Sequence, residues 1–325
     1  MMLVIYGPTA TGKTNLAIKL AKKFNGELIS ADSRQVLRGL DIGTGKVSFD
    51  VKVEKHKGFW IVDGIKIRGF DLANPGEPFS VADFLYHTSA SMIQITKANK
   101  LPIIVGGTGF YIKAFIDGIN SIGIPADQKL RSKLEKLSAA ELYQNLKELD
   151  RKRAELMNQS DRQNPRRLIR AIEIALHNQK QVAGKRKQST RNHLPATNYL
   201  LIGLTAPNNF LYSKVDKWLQ TRLDRGLIEE VRSLLDQGID PDWLDNLGLE
   251  YRWLTRYLKG QVARDIAVER LKGDIHNFTR RQKTWFKQFK RIKLFDITEK
   301  NWQDKLEKTL HVCYTQNRDD GQGTS

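Results

Sequence analysis

The chain has 325 residues, of which 40% are hydrophobic and 28% charged, with a formal net charge of +18. It is long enough for a sizeable core and two domains, and its single cysteine, Cys313, excludes a disulfide framework or a cysteine metal cluster. No apolar run approaches the roughly 20 residues of a membrane span, and the excess of positive charge points to a polyanionic partner, nucleic acid ahead of an anionic membrane surface. A generally basic surface with no dedicated partner is the plainer alternative. The N-terminus runs straight into a strand, so no signal peptide is expected and the expected compartment is the cytoplasm.

The apolar run Leu3-Val4-Ile5-Tyr6 is a strand, and Leu16, Ala17, Leu20, Ala21 and Phe24 share one face of a helix. Between them lies Gly7-Pro8-Thr9-Ala10-Thr11-Gly12-Lys13-Thr14, the context that a phosphate-binding loop requires: strand, glycine-bounded loop, helix. Backbone N–H groups and the helix N-terminus would face the anion, Lys13 adds a point charge, and the Thr14 hydroxyl can ligate Mg²⁺. This stretch is expected to bind a di- or triphosphate.

A second strand, Gly26 to Ala31, ends at Asp32-Ser33-Arg34-Gln35. Ligands of α/β sheets bind beyond the carboxyl ends of strands, which aims Asp32 at the phosphates, although a helix-capping aspartate is also possible there. Asp41-Ile42-Gly43-Thr44-Gly45-Lys46 is expected to be a loop, with two glycines and a lysine available to an anion. Phe59-Trp60-Ile61-Val62 and Ile65-Lys66-Ile67 flank Asp63-Gly64, a hairpin signal. Ser80 with Asp83 predicts a capping box for a helix through Thr96. Leu101-Pro102-Ile103-Ile104-Val105 is a buried parallel strand that ends in Gly106-Gly107-Thr108-Gly109. That strand lacks the terminal aspartate with which many NTPases hold Mg²⁺, an argument against ordinary ATP hydrolysis.

Beyond Gly118 the pattern becomes helical, over Asp127 to Leu137, Ala139 to Leu149 and Pro165 to His177. Ser138 and Glu141 cap the second of these, and Pro165 opens the third. Lys185-Arg186-Lys187-Gln188-Ser189-Thr190-Arg191 reads as an exposed basic loop, either tracking a phosphate backbone or merely solvated. Tyr199 to Leu204 rejoins the sheet, followed by helices at Phe210 to Arg225 and Ile228 to Asp236. The last long pattern, Ala263 to Phe289, ends in interleaved basic and aromatic residues. These suit phosphate neutralisation with base stacking, with an amphipathic helix of core aromatics and solvated charges as the plainer alternative. Ile292 to Ile297 closes as a strand. The expected fold is therefore α/β: a P-loop NTPase-like parallel sheet flanked by helices, with a helical insertion domain. Its expected parts are a first core segment at 1–120, the insertion at 121–197, a second core segment at 198–312, and a disordered tail at 313–325.

Several stretches, taken together, resemble the tRNA dimethylallyltransferase family: Gly7 to Thr14, Ile29 to Val36, Gly39 to Lys46, Pro102 to Gly109 with Tyr111, Asn164 to Ala171, and Arg280 to Phe286. The resemblance spans roughly residues 1 to 290, and the Ser30-Ala31-Asp32-Ser33 and Arg281-Gln282-Lys283-Thr284-Trp285 patterns make it specific. It implies transfer of a five-carbon group from dimethylallyl diphosphate to the exocyclic amine of the adenosine 3′ to the tRNA anticodon. Mg²⁺ would be held by Thr14, with Lys13 and Thr14 supporting the departing diphosphate in the loop Gly7, Pro8, Thr9, Ala10, Thr11, Gly12, Lys13, Thr14. Asp32 would accept the proton. The anticodon stem-loop would meet Asp32, Ser33, Arg34, Gln35, Thr108, Arg131, Arg166, Arg167, Arg170, Arg280, Arg281, Gln282 and Trp285. A cytoplasmic monomer is expected, without a membrane partner. The chain departs from the family at His56 to Asp63, where a Pro-His-His-Leu-type stretch is usual, and before Arg166, where a glutamine is common. It also carries Trp218 where the family has an arginine linked with donor binding, a task that would fall to Lys217, to Arg222 or elsewhere. A nucleoside or metabolite kinase would share the phosphate loop but not the basic-aromatic helix. A non-catalytic RNA binder would leave Asp32 repelling its own ligand.

Overall fold

The computed structural model describes residues 1–46, 48, 50–119, 121–183 and 198–319. They form two compact units, one of residues 1–118 with those from 198 onward, the other of residues 119–183. The expected basic loop Lys185 to Arg191 lies outside the described residues.

The first unit is built on one sheet of order β3-β4-β5-β2-β6-β1-β7-β8. Its strands are β1 (Met2–Tyr6), β2 (Gly26–Ser30), β3 (Val53–His56), β4 (Phe59–Val62), β5 (Ile65–Arg68), β6 (Leu101–Gly106), β7 (Tyr199–Thr205) and β8 (Ile292–Asp296). From β5 to β8 all pairings are parallel, and only β4, antiparallel to both β3 and β5 near one edge, runs against the other strands. The three strands β1, β2 and β6 are buried along their whole length, as central strands of a sheet covered on both faces are, and the one charged residue among them, Glu27 of β2, is paired with Arg68 and Lys100. Asp63 and Gly64 turn the β4–β5 hairpin with φ of 50° and 78°. β3 was not legible in the sequence. Its Val-Glu-Lys-His run is mostly exposed and carries no apolar alternation, so only pairing with β4 makes it a strand.

Helix α1 (Lys13–Lys23) buries Leu16, Ala17, Ile18, Leu20 and Ala21 against the sheet, together with Leu3, Ile5, Ile103 and Ile202. Helix α2 (Val81–Lys97) starts at the expected Ser80–Asp83 capping box, and α3 (Gly109–Asp117) follows β6. A second core gathers around Leu40, Leu219, Val231, Tyr251 and Leu271. It is built by α9 (Asn208–Asp224), α10 (Leu227–Asp236), α11 (Pro241–Leu247), α12 (Leu249–Leu258) and α13 (Arg264–Thr284). The long pattern expected to reach Phe289 ends as an α-helix at Thr284 and continues as a 3-10 turn, Trp285–Gln288. Helix α14 (Trp302–Asp319) was not expected and runs on to Asp319, into the stretch 313–325 expected to be a disordered tail. Its Leu306 and Leu310 join the main core.

The second unit is helical: α4 (Gln128–Leu134), α5 (Ala139–Leu149), α6 (Arg151–Leu156), α7 (Gln159–Arg162) and α8 (Pro165–Ala183). Ser138 and Glu141 form the expected capping box, and Pro165 opens α8. Its core is Leu134, Leu142, Leu146, Leu168, Ile169 and Ile172. None of the helices formed by the described residues is long and apolar enough to cross a membrane.

Candidate active site

The loop between β1 and α1 closes on one acceptor. The carbonyl of Pro8 receives the Thr11 hydroxyl at 2.8 Å, the Thr11 N–H at 3.4 Å and the Lys13 ammonium at 3.3 Å. Ala10 and Gly12 hold positive φ, 65° and 77°, and so curl the chain around an open centre before α1 begins. Burial pulls the Lys13 pKa below the usual lysine range, against the opposing effect of the Asp32 charge. A diphosphate beside it would favour the proton again.

Beside this loop lies a cavity of about 340 Å³. Thr9, Ala10, Gly12, Lys13 and Thr14 line one side, and Asp32 and Gln35 come from the segment after β2. Asp32 is partly buried. One oxygen accepts the Arg34 N–H at 3.0 Å within a turn where no helix begins, so Asp32 is not a helix cap, while the other has no hydrogen-bond partner among the described residues. The same carboxylate is thus both anchored and available. Gln35 is fixed by Ser30, whose hydroxyl donates to Oε1 at 2.7 Å, and donates to the carbonyls of Thr44 and Gly45. Ser33 takes the Thr108 side-chain oxygen onto its N–H at 3.0 Å, which ties the ends of β2 and β6 together.

Sequence reasoning missed part of the opposite wall. Lys214, Lys217 and Trp218 of α9 line the cavity. Of these, Lys214 had no signal except its place three residues before Lys217, on one helical face. Trp218 stacks on the guanidinium of Arg222, whose Cζ lies 3.5 Å from the ring centroid. Arg222 itself is fully buried and donates to Glu250 at 2.7 Å and to the carbonyls of Ile42 and Gly43. Of the two expected substitutes for the family arginine, Lys217 reaches the cavity and Arg222 is committed behind Trp218.

Other expectations are corrected. Lys46, expected to be open to an anion, is fully buried between Asp41 and Asp71, 2.6 Å from each. The amides of its loop are also taken: Asp41, Ile42 and Gly43 all donate to the carboxylate of Glu230, at 2.6–2.9 Å. The loop does cradle an anion, but an internal one. Arg34, expected to touch a base, donates instead to the Leu247 carbonyl at 2.7 Å and faces Glu250, a buried carboxylate that draws it inward. Gln282, expected to meet RNA, is 3% exposed. Its Oε1 accepts from the Thr9 N–H at 2.9 Å, its Nε2 donates to the Gly107 carbonyl at 3.0 Å, and its carbonyl accepts from the Tyr6 hydroxyl. It braces the phosphate loop. Arg280 and Arg281 on the same helix are exposed, with Trp285 half-buried at its end.

In the helical unit, Arg131 and Arg170 converge on Glu173, which also accepts the Asp127 N–H at 3.0 Å. Burial would raise the Glu173 pKa, but the two guanidiniums and this amide outweigh it and hold the carboxyl below the usual range. Arg167 pairs with Asp161, and Arg166 is exposed on the same helix. Two of the four arginines therefore organise the unit first.

The donor set for a metal is small. Thr14 supplies a hydroxyl and Asp32 a carboxylate, and the described residues hold no cluster of three or more metal-ligating side chains. That set fits Mg²⁺ carried in on phosphate oxygens with its own waters and does not fit a resident ion.

The IPP transferase family model matches residues 35–289. The chain belongs to that family. Among IPP transferase relatives, the tRNA dimethylallyltransferase of Acetivibrio thermocellus is 37% identical over 313 residues, covering 95% of this chain and 96% of that one. That of Geobacillus thermodenitrificans is 38% identical over 303 residues, covering 92% and 91%. The crystal structure of the full-length tRNA isopentenylpyrophosphate transferase of Bacillus halodurans is similar at a TM-score of 0.68 and 32% identity, over 98% of this chain and 97% of that one. A eukaryotic dimethylallyltransferase acting on tRNA shares the fold at a TM-score of 0.70 and 22% identity, over 92% of this chain and 74% of that one.

Proposed function

We propose that this chain transfers a dimethylallyl group from dimethylallyl diphosphate to the exocyclic amine of the adenosine 3′ to the tRNA anticodon. The observation that carries the reading is the half-engaged carboxylate of Asp32 in a cavity shared with the phosphate loop and two further lysines. A kinase site explains the loop but gives no reason for the exposed basic helix end. The relatives' names favour transfer to tRNA.

In this reading Lys13, Lys214 and Lys217 hold the diphosphate from two sides. The amine nitrogen forms its bond to the allylic carbon as the carbon–oxygen bond breaks and the electron pair leaves with diphosphate. The nitrogen becomes acidic only as that bond forms, so the placement of the carboxylate matters most, and the proton passes to Asp32. The anchoring bond from Arg34 N–H fixes the direction of that carboxylate. Bound Mg²⁺, held through Thr14, would supply positive charge to the leaving diphosphate. The acceptor base must leave its stack to enter the cavity. The protein would work in the cytoplasm as a monomer.

Incubation with tRNA and dimethylallyl diphosphate, followed by nucleoside mass spectrometry, should show an adenosine heavier by one five-carbon unit. tRNA-stimulated ATP hydrolysis without any prenylated nucleoside would overturn the reading in favour of a kinase. A second expected result concerns affinity. Arg280 and Lys287 are exposed at the end of α13 and the turn after it. Replacing both by alanine should lower the slope of log affinity against log salt by about one per lost phosphate contact. An unchanged slope would mean that neither touches phosphate.

A further inference from the structure

Resting on the proposed function, a second feature of the sheet unit concerns the RNA beyond the acceptor base. Most large apolar side chains of this unit are buried, yet Phe110 is 44% exposed at the start of α3. It stands two residues from Thr108, which is tied to Ser33 and so to the segment that carries Asp32. Its ring centroid is 6.4 Å from that of Trp285, with the planes inclined at 55°. The two rings thus form an open V and are not stacked on each other.

The position of Trp285 is built in. A methyl group on Gly109 would lie 2.7 Å from Trp285 Cγ and 2.9 Å from its Cβ, so the absence of a side chain at Gly109 seats the tryptophan against α3. Exposed Arg281 and Lys287 flank Trp285 in sequence, and the chain as a whole carries a net charge of +18. An exposed phenylalanine ring and a half-buried tryptophan near cations suit a single-stranded nucleotide, because every base has a π-face and its phosphate is neutralised nearby.

We propose that Phe110 and Trp285 form a stacking platform for an unpaired base adjacent in sequence to the acceptor adenosine. The acceptor enters the cavity beside Asp32 while its neighbour rests on these rings, and the strand between them is held splayed. Phe110 is in this sense a positioning residue: it contacts RNA but not the reacting atoms.

The test uses the full-length protein and an anticodon stem-loop RNA, with matched RNAs carrying an abasic nucleotide immediately 5′ or 3′ of the acceptor. Phe110→Ala should raise the KM for the stem-loop roughly tenfold, the scale of losing one base–aromatic stack. The affinity for inorganic diphosphate should be unchanged, which a general distortion of the phosphate loop would not permit. Phe110→Tyr should restore RNA binding, whereas Phe110→Leu, apolar but without a π-face, should not. One of the two abasic RNAs should bind wild type as weakly as Phe110→Ala binds the intact RNA, and Phe110→Ala should lose nothing further on that RNA. If Phe110→Leu behaves as wild type, or if both abasic losses add fully to the mutation, the platform is refuted. If wild type prenylates no stem-loop at all, it is the proposed function that fails, and the platform falls with it.

Discussion

Asp32→Asn should lower single-turnover prenyl transfer by about 10²–10⁴-fold, the usual cost of removing a general base. The amide can keep the anchoring bond from the Arg34 N–H, so the loop after β2 should stay in place. What it loses is the proton-accepting charge. tRNA affinity should remain within several-fold, since one hydrogen bond to a base is worth roughly 0.5–3 kcal/mol at most and the amide retains part of it. Single-turnover rates and RNA binding measured on the same preparation decide the matter. Near-normal transfer would exclude Asp32 as the base. Loss of RNA binding with an intact fold would make it an anchor for the base in place of a proton acceptor.

Glu250→Ala should destabilise the protein by about 3–5 kcal/mol, because it strands Arg222 without its carboxylate inside the second core. For a unit of this size that corresponds to a fall of thermal midpoint on the order of 10 °C. Arg34 would lose the same carboxylate, and the carbonyls of Ile42 and Gly43 would be left holding a guanidinium that has no counter-charge. The double variant Arg222→Met with Glu250→Leu should recover most of the loss, since neither buried charge remains. Thermal unfolding of the three proteins checks this. Equal stability of Glu250→Ala and wild type would show that the pair contributes little.

The parts of the molecule that were legible in the sequence are those governed by local rules. The run before Gly7 and the helical face after Thr14 could only be read as strand, loop and helix, and Ser80 and Ser138 sit where capping boxes place them. What was not legible depends on partners distant in the chain. Lys46 looks like an anion ligand until Asp71 is brought beside it, and the Asp41–Gly43 amides look vacant until Glu230 of α10 reaches them. Gln282 lies among arginines in the sequence, but the rotation of α13 turns it inward to Thr9 while its neighbours stay outside. Lys214 had no motif at all. It became a site residue only because α9 passes the mouth of the phosphate loop.

The bracing of Thr9 by Gln282 also dictates an order of events during synthesis. Strand β1 emerges before every other strand of the sheet, but its neighbours there are β6 and β7, the second of which begins at Tyr199. The hydroxyl of Tyr6 and the amide of Thr9 wait for a residue more than 270 positions later. A nascent chain that has not yet emerged past Lys283 therefore carries the whole phosphate-loop sequence without the side chain that holds it in shape. Contacts of such long separation form slowly and late, so the anion-binding centre is among the last features of this unit to be completed, although its sequence precedes that of every other strand of the sheet but β1.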